Sequence, residues 1–218
     1  MFFLYLCNRK CMNMQETKDI SPYKQGLRDK IITSAMMAFA KKGIRQVKMD
    51  DVASELGISK RTLYEIFDKK EDLLYEGVKY YLGERRSQMQ QKAQNCNNVM
   101  EIILVAYKLK VEGVRQTNPL FYSDLVKYPK VARYLGQQNQ QMLTNMTKFI
   151  ERGIDEGFFR KEVKPELVAR LFDALGKYVM EQQLFLSYTI EEIFMNLIFV
   201  SLRGICTKKG VEAIDKWI

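Results

Sequence analysis

The chain has 218 residues, 47% of them hydrophobic and 28% charged, which is enough for one or two domains whose core needs no disulfide or metal staple. Histidine is absent, so the commonest general base, the commonest metal ligand and every His-dependent nucleophile arrangement are missing. Neither G-x-x-x-x-G-K-S/T nor G-x-G-x-x-G is present to hold a nucleotide phosphate. The expectation is a protein that is not an enzyme and that uses no metal and no cofactor.

Charge points elsewhere. The formal net charge is +9, with a pI near 9.3. Residues 22–92 hold 15 Lys/Arg against 10 Asp/Glu, the densest excess in the chain, as phosphate binding requires. Many proteins are mildly basic without touching nucleic acid, so charge alone does not decide the matter. The four cysteines (Cys7, Cys11, Cys96, Cys206) form no C-x-x-C pair and read as the reduced thiols of a cytoplasmic protein.

The first residues, Met1 to Cys7, are apolar, but positive charge follows them instead of preceding them, and the run is too short for a secretory signal. Residues 1–21 therefore read as a tail or as the product of a start upstream of Met12 or Met14. Leu27 to Lys42 places Leu27, Ile31, Ile32, Ala35, Met36, Phe39 and Ala40 at three- and four-residue spacing, one apolar face of a helix that Gly43 ends. Met49, Val52, Ala53 and Leu56 make a second, shorter face, with Asp50 and Asp51 suiting the dipole of its first turn.

Leu56-Gly57-Ile58-Ser59 then supplies a sharp turn at Gly57, an apolar plug at Ile58 and an N-cap at Ser59. In the third helix, Lys60 to Phe67, Leu63, Ile66 and Phe67 point inward while Lys60, Arg61, Thr62 and Tyr64 stay outside. Two short helices joined this way make a helix-turn-helix, which also occurs in plain bundles. The polar, cationic start of the second helix favours DNA, because a recognition helix offers that end to base edges. Asp68 and Glu71 suggest a capping box for a fourth helix, and Lys69 and Lys70 are either a phosphate clamp at its start or a solvated pair.

The remaining pattern gives helices at roughly 69–92, 98–117, 120–127, 130–156, 165–187, 190–208 and 210–217, with breaks at residues 95–98, 118–119, 128–129 and 157–165. The apolar window from Ile193 to Cys206 holds Asn196 and Arg203 and falls short of the roughly twenty residues a membrane span needs. No contact with a membrane is expected.

Residues 31–74 resemble the N-terminal domain of the TetR family. The resemblance rests on A-x-x-x-F-A-x-x-G at 35–43, D-V-A-x-x-L-G-I-S at 51–59, T-L-Y-x-x-F at 62–67 and K-x-x-L at 70–73. The G-x-x-x-G-F-F-R run at 153–160 resembles a turn frequent in the same family. The resemblance implies an all-α chain: a three-helix DNA-binding domain at 22–74 and a helical regulatory and dimerisation domain at 75–218. It further implies a homodimer formed through residues 165–208, a near-palindromic double-stranded operator and a small-molecule effector.

By position, Tyr64 and Lys70 match family phosphate contacts, and Ser59, Lys60, Arg61 and Thr62 match residues that contact bases and backbone. Lys48 departs from the pattern, standing where Thr or Ser usually caps the second helix. It cannot cap, but as a cation it can still reach a phosphate. Together with Lys69 these residues form the expected DNA interface, spanning Lys48 to Lys70.

For the effector cavity the candidate lining is Tyr107, Phe121, Tyr122, Met142, Met146, Phe149 and Tyr178, although Met and aromatic stripes equally build ordinary core. For the dimer interface, Leu171, Phe172, Leu175, Val179, Phe194, Leu197, Ile198 and Ser201 exceed what one intramolecular face needs. The expected function is a ligand-responsive repressor. An activator of the same fold and a non-specific DNA-binding protein are the alternatives.

Overall fold

The computed structural model describes residues 22–217. The readings made for the first 21 residues, with Cys7, Cys11, Met12 and Met14, lie outside the described residues. Within them the protein is helical, and its β pairing is the isolated antiparallel bridge between Phe159 and Cys206. No described helix is long and apolar enough to cross a membrane.

The described chain forms two compact units. One comprises residues 22–83 with 116–134, so a stretch far along the chain is grouped with the helix-turn-helix. Helix α1 (Pro22–Lys42) buries Ile31, Ile32, Ala35 and Phe39, the stripe its spacing predicts. Helices α2 (Met49–Glu55) and α3 (Lys60–Ile66) close over it with Val52, Ala53 and Leu63. Burying each large aliphatic or aromatic side chain of this cluster contributes about 1.5–3 kcal/mol.

Helix α4 (Lys70–Ala93) adds Leu73, Leu74 and Val78 to the same core. It starts at Lys70, which puts the N-cap position on Lys69 and corrects the expected Asp68 cap. Glu71 is used elsewhere. Its carboxylate accepts the Lys130 backbone N–H at 2.8 Å, and Lys130 Nζ pairs with Asp72.

Helix α6 (Pro119–Leu125) is tied to the end of α1. Asn118 caps α6 through Leu120 N–H at 2.9 Å and donates its own N–H to the Ala40 carbonyl at 2.7 Å. The buried Asp124 carboxylate accepts Arg45 N–H at 3.1 Å and Lys127 Nζ at 3.0 Å. The first turns of α7 (Pro129–Asp155) complete the unit, Tyr134 packing edge-on to Tyr75 with ring centroids 5.5 Å apart.

The other unit comprises residues 84–115 and 135–217. Its core gathers Val99, Met100 and Ile103 of α5 (Val99–Arg115) with Ile150 of α7, Phe172 and Val179 of α8 (Pro165–Glu181), and Phe194, Ile198 and Phe199. The turn after α7 explains the glycines at 153 and 157. Gly157 takes φ 75°, and Phe158 N–H returns to the Gly153 carbonyl at 3.0 Å, a left-handed helix stop. Gly153 leaves room for the Phe159 ring, which a Cβ there would meet at 2.2 Å.

Helix α8 stops earlier than its apolar pattern suggests. Gln183 adopts φ 50° and a 3-10 turn follows at Leu184–Leu186, so the expected helix over 165–187 ends at Glu181. The expected helix over 190–208 runs from α9 (Ile190–Ile193) through a π-helical stretch, Phe194–Ile198, into α10 (Phe199–Ile205). Thr207 then caps α11 (Lys208–Asp215), and its N–H bonds the Phe158 carbonyl at 2.9 Å.

Candidate nucleic-acid interface

The turn between α2 and α3 is built from the sequence upward. Gly57 takes φ 64°, its N–H reaches the Ser54 carbonyl at 3.1 Å, and Ile58 N–H reaches the Ala53 carbonyl at 3.0 Å. This paired arrangement satisfies the last carbonyls of α2, and it needs a residue without a Cβ penalty at the left-handed position. Ser59 then accepts Thr62 N–H at 3.0 Å as the N-cap of α3, and the two hydroxyls lie 2.8 Å apart.

Helix α3 is thereby anchored by Leu63, with the ends of its polar side chains outward. Ser59, Lys60, Arg61 and Tyr64 are exposed and Thr62 is partly covered. Tyr64 keeps 46% of its surface accessible, enough to meet an outside partner. The sequence-predicted residues of this segment are therefore accessible, Thr62 in part.

Their charges are not left alone. Lys60 Nζ lies 2.5 Å from the Asp50 carboxylate, and Arg61 Nε lies 2.9 Å from Glu65. The hydrogen bond and charge of Asp50 raise the Lys60 ammonium above its ordinary value, so it stays protonated. Sequence reasoning missed both acids. The i, i+4 spacing of Arg61 and Glu65 was a legible signal, whereas Asp50 reaches Lys60 only because the turn folds α2 back against α3.

Lys48 is exposed at the N-cap position of α2, where its ammonium has no lone pair for the helix amides. Half of the box is made from the other side: Lys48 N–H donates to Asp51 at 2.8 Å. The cap is lost and the cation stays accessible. Lys69 is exposed as well, whereas Lys70 is partly buried, its Nζ 5.6 Å from the centre of the Phe39 ring. Burial lowers the Lys70 ammonium, with the carboxylates of Asp124 and Asp51 opposing the fall.

The expected effector-lining residues are divided between the two units. Phe121 and Tyr122 pack against each other, 5.6 Å between ring centroids, in the unit that carries the helix-turn-helix. Tyr107, Met142, Met146 and Phe149 belong to the other unit, where Tyr107 packs on Phe194 at 4.9 Å and on Phe199 at 5.1 Å. Tyr178 is half exposed on α8. Lys110 is the charged group that sequence reasoning missed there. Burial, with the Arg85 cation adding to it, pushes its ammonium down to about 8. No group of three or more acidic or cysteine side chains that could hold a metal occurs among the described residues.

Comparison with known proteins places this geometry. Residues 31–76 match the model of the bacterial regulatory proteins of the tetR family. The transcriptional repressor KstR2 of Mycobacterium tuberculosis is 24% identical over 191 residues, 84% of this chain and 94% of that one. A TetR-family regulator from Cytophaga hutchinsonii shares the fold at TM-score 0.67 and 20% identity, over 88% of this chain and all of that one. A transcriptional regulator from Saccharomonospora viridis, solved with choline, shares it at TM-score 0.70 and 18% identity, over 84% of this chain and all of that one. The helix-turn-helix, its accessible residues and these relatives agree: residues 31–76 match the DNA-binding domain of the TetR family, and over most of its length the chain is similar to transcriptional regulators of that family.

Proposed function

We propose that this regulator is a ligand-responsive repressor that binds a near-palindromic operator as a homodimer. The observation that carries DNA reading is the accessible N-terminal end of α3, Ser59 to Tyr64, fixed by the Gly57 turn and the Ser59 cap. Polar and cationic side chains presented there match the donor and acceptor pattern of major-groove edges. Lys48 and Lys69 flank the face as accessible cations, suited to phosphates that set register without reading sequence. Repression is supported by the named repressor among the relatives.

Dimerisation is supported by surface that one chain leaves uncovered. Leu167, Leu171 and Tyr178 follow one another along α8 at four- and seven-residue spacing and stay exposed, as does Val200 of α10. Such a stripe suits a symmetric helical interface. Leu171 was among the residues expected there, whereas Phe172, Val179, Phe194 and Ile198 are spent on the chain's own core. For the ligand response, helix α4 is continuous from Lys70 to Ala93 and so belongs to both compact units. An effector switches such a protein only if it binds the DNA-incompetent state more tightly than the competent one.

Four single variants test the interface. Tyr64→Phe and Lys70→Ala weaken binding to every duplex, as loss of phosphate contacts does, and Lys70→Ala, which removes a cation, also flattens the dependence on salt. Arg61→Ala and Thr62→Ala change which sequence is preferred. Operator binding equal to wild type in all four removes these residues from the interface and the proposal with them.

A further inference from the structure

The charged residues of the recognition face are matched in sign. Lys60 and Arg61 are the cations at the start of α3, and each has an acid against it: Asp50 at 2.5 Å and Glu65 at 2.9 Å. In a chain of net charge +9, the part placed to enter a groove is locally neutral. The side chains in these pairs are between 43% and 89% exposed, and exposed ion pairs contribute little to folding. Fold stability does not explain them.

Two physical consequences follow for a DNA-reading helix. Non-specific affinity rises with the number of cations that displace counterions from phosphate, so a cation already neutralised by a carboxylate adds little to it. Specific affinity depends on holding a donor pair in register with a base edge. Arg61 uses its Nε for Glu65, and no described residue engages its two Nη groups. A guanidinium held by Nε presents those donors as a fixed fork, the geometry that guanine O6 and N7 accept. Lys60 is likewise held at the first residue of α3 by a carboxylate from the first turn of α2.

We propose that Asp50 and Glu65 are specificity-determining positioning residues: each orients one recognition-helix cation towards base edges and withholds it from phosphates. This rests on the assignment of α3 as the recognition helix. Removing either acid frees a cation for the backbone, so Asp50→Asn and Glu65→Gln bind random-sequence DNA more tightly. One added phosphate contact steepens the slope of log affinity against log salt by about 0.9 and, near 0.1 M salt, tightens non-specific binding by roughly tenfold. Discrimination between operator and random DNA falls by a similar factor.

The experiment uses the full-length chain and two duplexes of equal length: the operator recovered with the wild type by selection from random DNA, and a scrambled sequence. Binding is followed by fluorescence anisotropy across a salt series, with circular dichroism melting to show that the exposed variants remain folded. The expected result is a steeper slope on the scrambled duplex and lower discrimination for Asp50→Asn and Glu65→Gln. In an Arg61→Ala background, Glu65→Gln has no further effect. Slopes and discrimination equal to wild type overturn the proposal, as does an undiminished Glu65→Gln effect in that background, which a general change of surface charge would give. A wild type that selects no operator overturns the recognition-helix assignment itself, so the two failures are told apart by the wild-type measurement.

Discussion

Asp124 is the residue whose removal most sharply tests how the helix-turn-helix is held. Its side chain is buried, one carboxylate oxygen accepting Arg45 N–H and the other Lys127 Nζ. In Asp124→Ala the Arg45 amide loses its acceptor in partly buried surroundings, a cost of about 1–3 kcal/mol. Lys127 is 52% exposed and regains water, so its release adds little. Relief of an acid near the C-terminal end of α6 returns about 0.3–1 kcal/mol. The net loss is therefore about 1–2 kcal/mol, which in a chain of this size lowers Tm by about 2–8 °C. Asp124→Asn keeps an oxygen for Arg45 and loses only the charge, so its Tm falls between those of wild type and Asp124→Ala. Thermal melting of the three proteins at pH 7 and low salt measures this order. Equal melting of Asp124→Ala and wild type, or a lower Tm for Asn than for Ala, refutes the bridge between Arg45 and α6.

Gly153→Ala lowers Tm although alanine is the better helix former by about 1 kcal/mol, because its Cβ would lie 2.2 Å from the Phe159 ring and overpacking costs about 1–3 kcal/mol; an unchanged or raised Tm contradicts this. For Lys110, the folded protein favours the neutral amine, with a value of about 8 against the ordinary 10.5. The penalty is complete below pH 8 and fades as pH rises from about 8 towards 10.5, so wild type gains stability relative to Lys110→Met across that window. Parallel pH profiles of Tm for the two proteins refute it. Leu171→Glu combined with Val200→Glu places charge on the exposed α8 and α10 stripe, and sedimentation equilibrium should then report a monomer where wild type is a dimer; a dimeric double variant excludes this face.

The three N-terminal helices were legible because each carries a short apolar period ended by glycine or begun by a capping side chain. Leu63 and Phe67 are buried and Lys60, Arg61 and Tyr64 exposed, as the spacing requires. The Arg61–Glu65 pair was open to the same reasoning from its spacing. The Arg45–Asp124 contact, the Glu71 contact at the start of α7 and the Asp50–Lys60 pair join residues 79, 59 and 10 positions apart. No local period encodes such separations. The end of α8 at Glu181 escaped because the left-handed glutamine that follows, Gln183, has no signature of its own. Apolar residues of α8 and of the π-helical stretch were read as surplus for a partner, yet Phe172, Val179 and Phe194 fill their own core. Periodicity marks a buried face without saying which surface buries it.

Selection of duplex DNA from a random pool by the full-length protein is the sharpest test of α3 as the element that reads sequence. The expected outcome is enrichment of a near-palindromic sequence whose two half-sites match the spacing of two recognition helices in successive major grooves. Repeating the selection with Arg61→Ala should change the bases within each half-site and leave their spacing intact. A pool that remains random after selection, or an Arg61→Ala pool identical to that of wild type, contradicts the assignment.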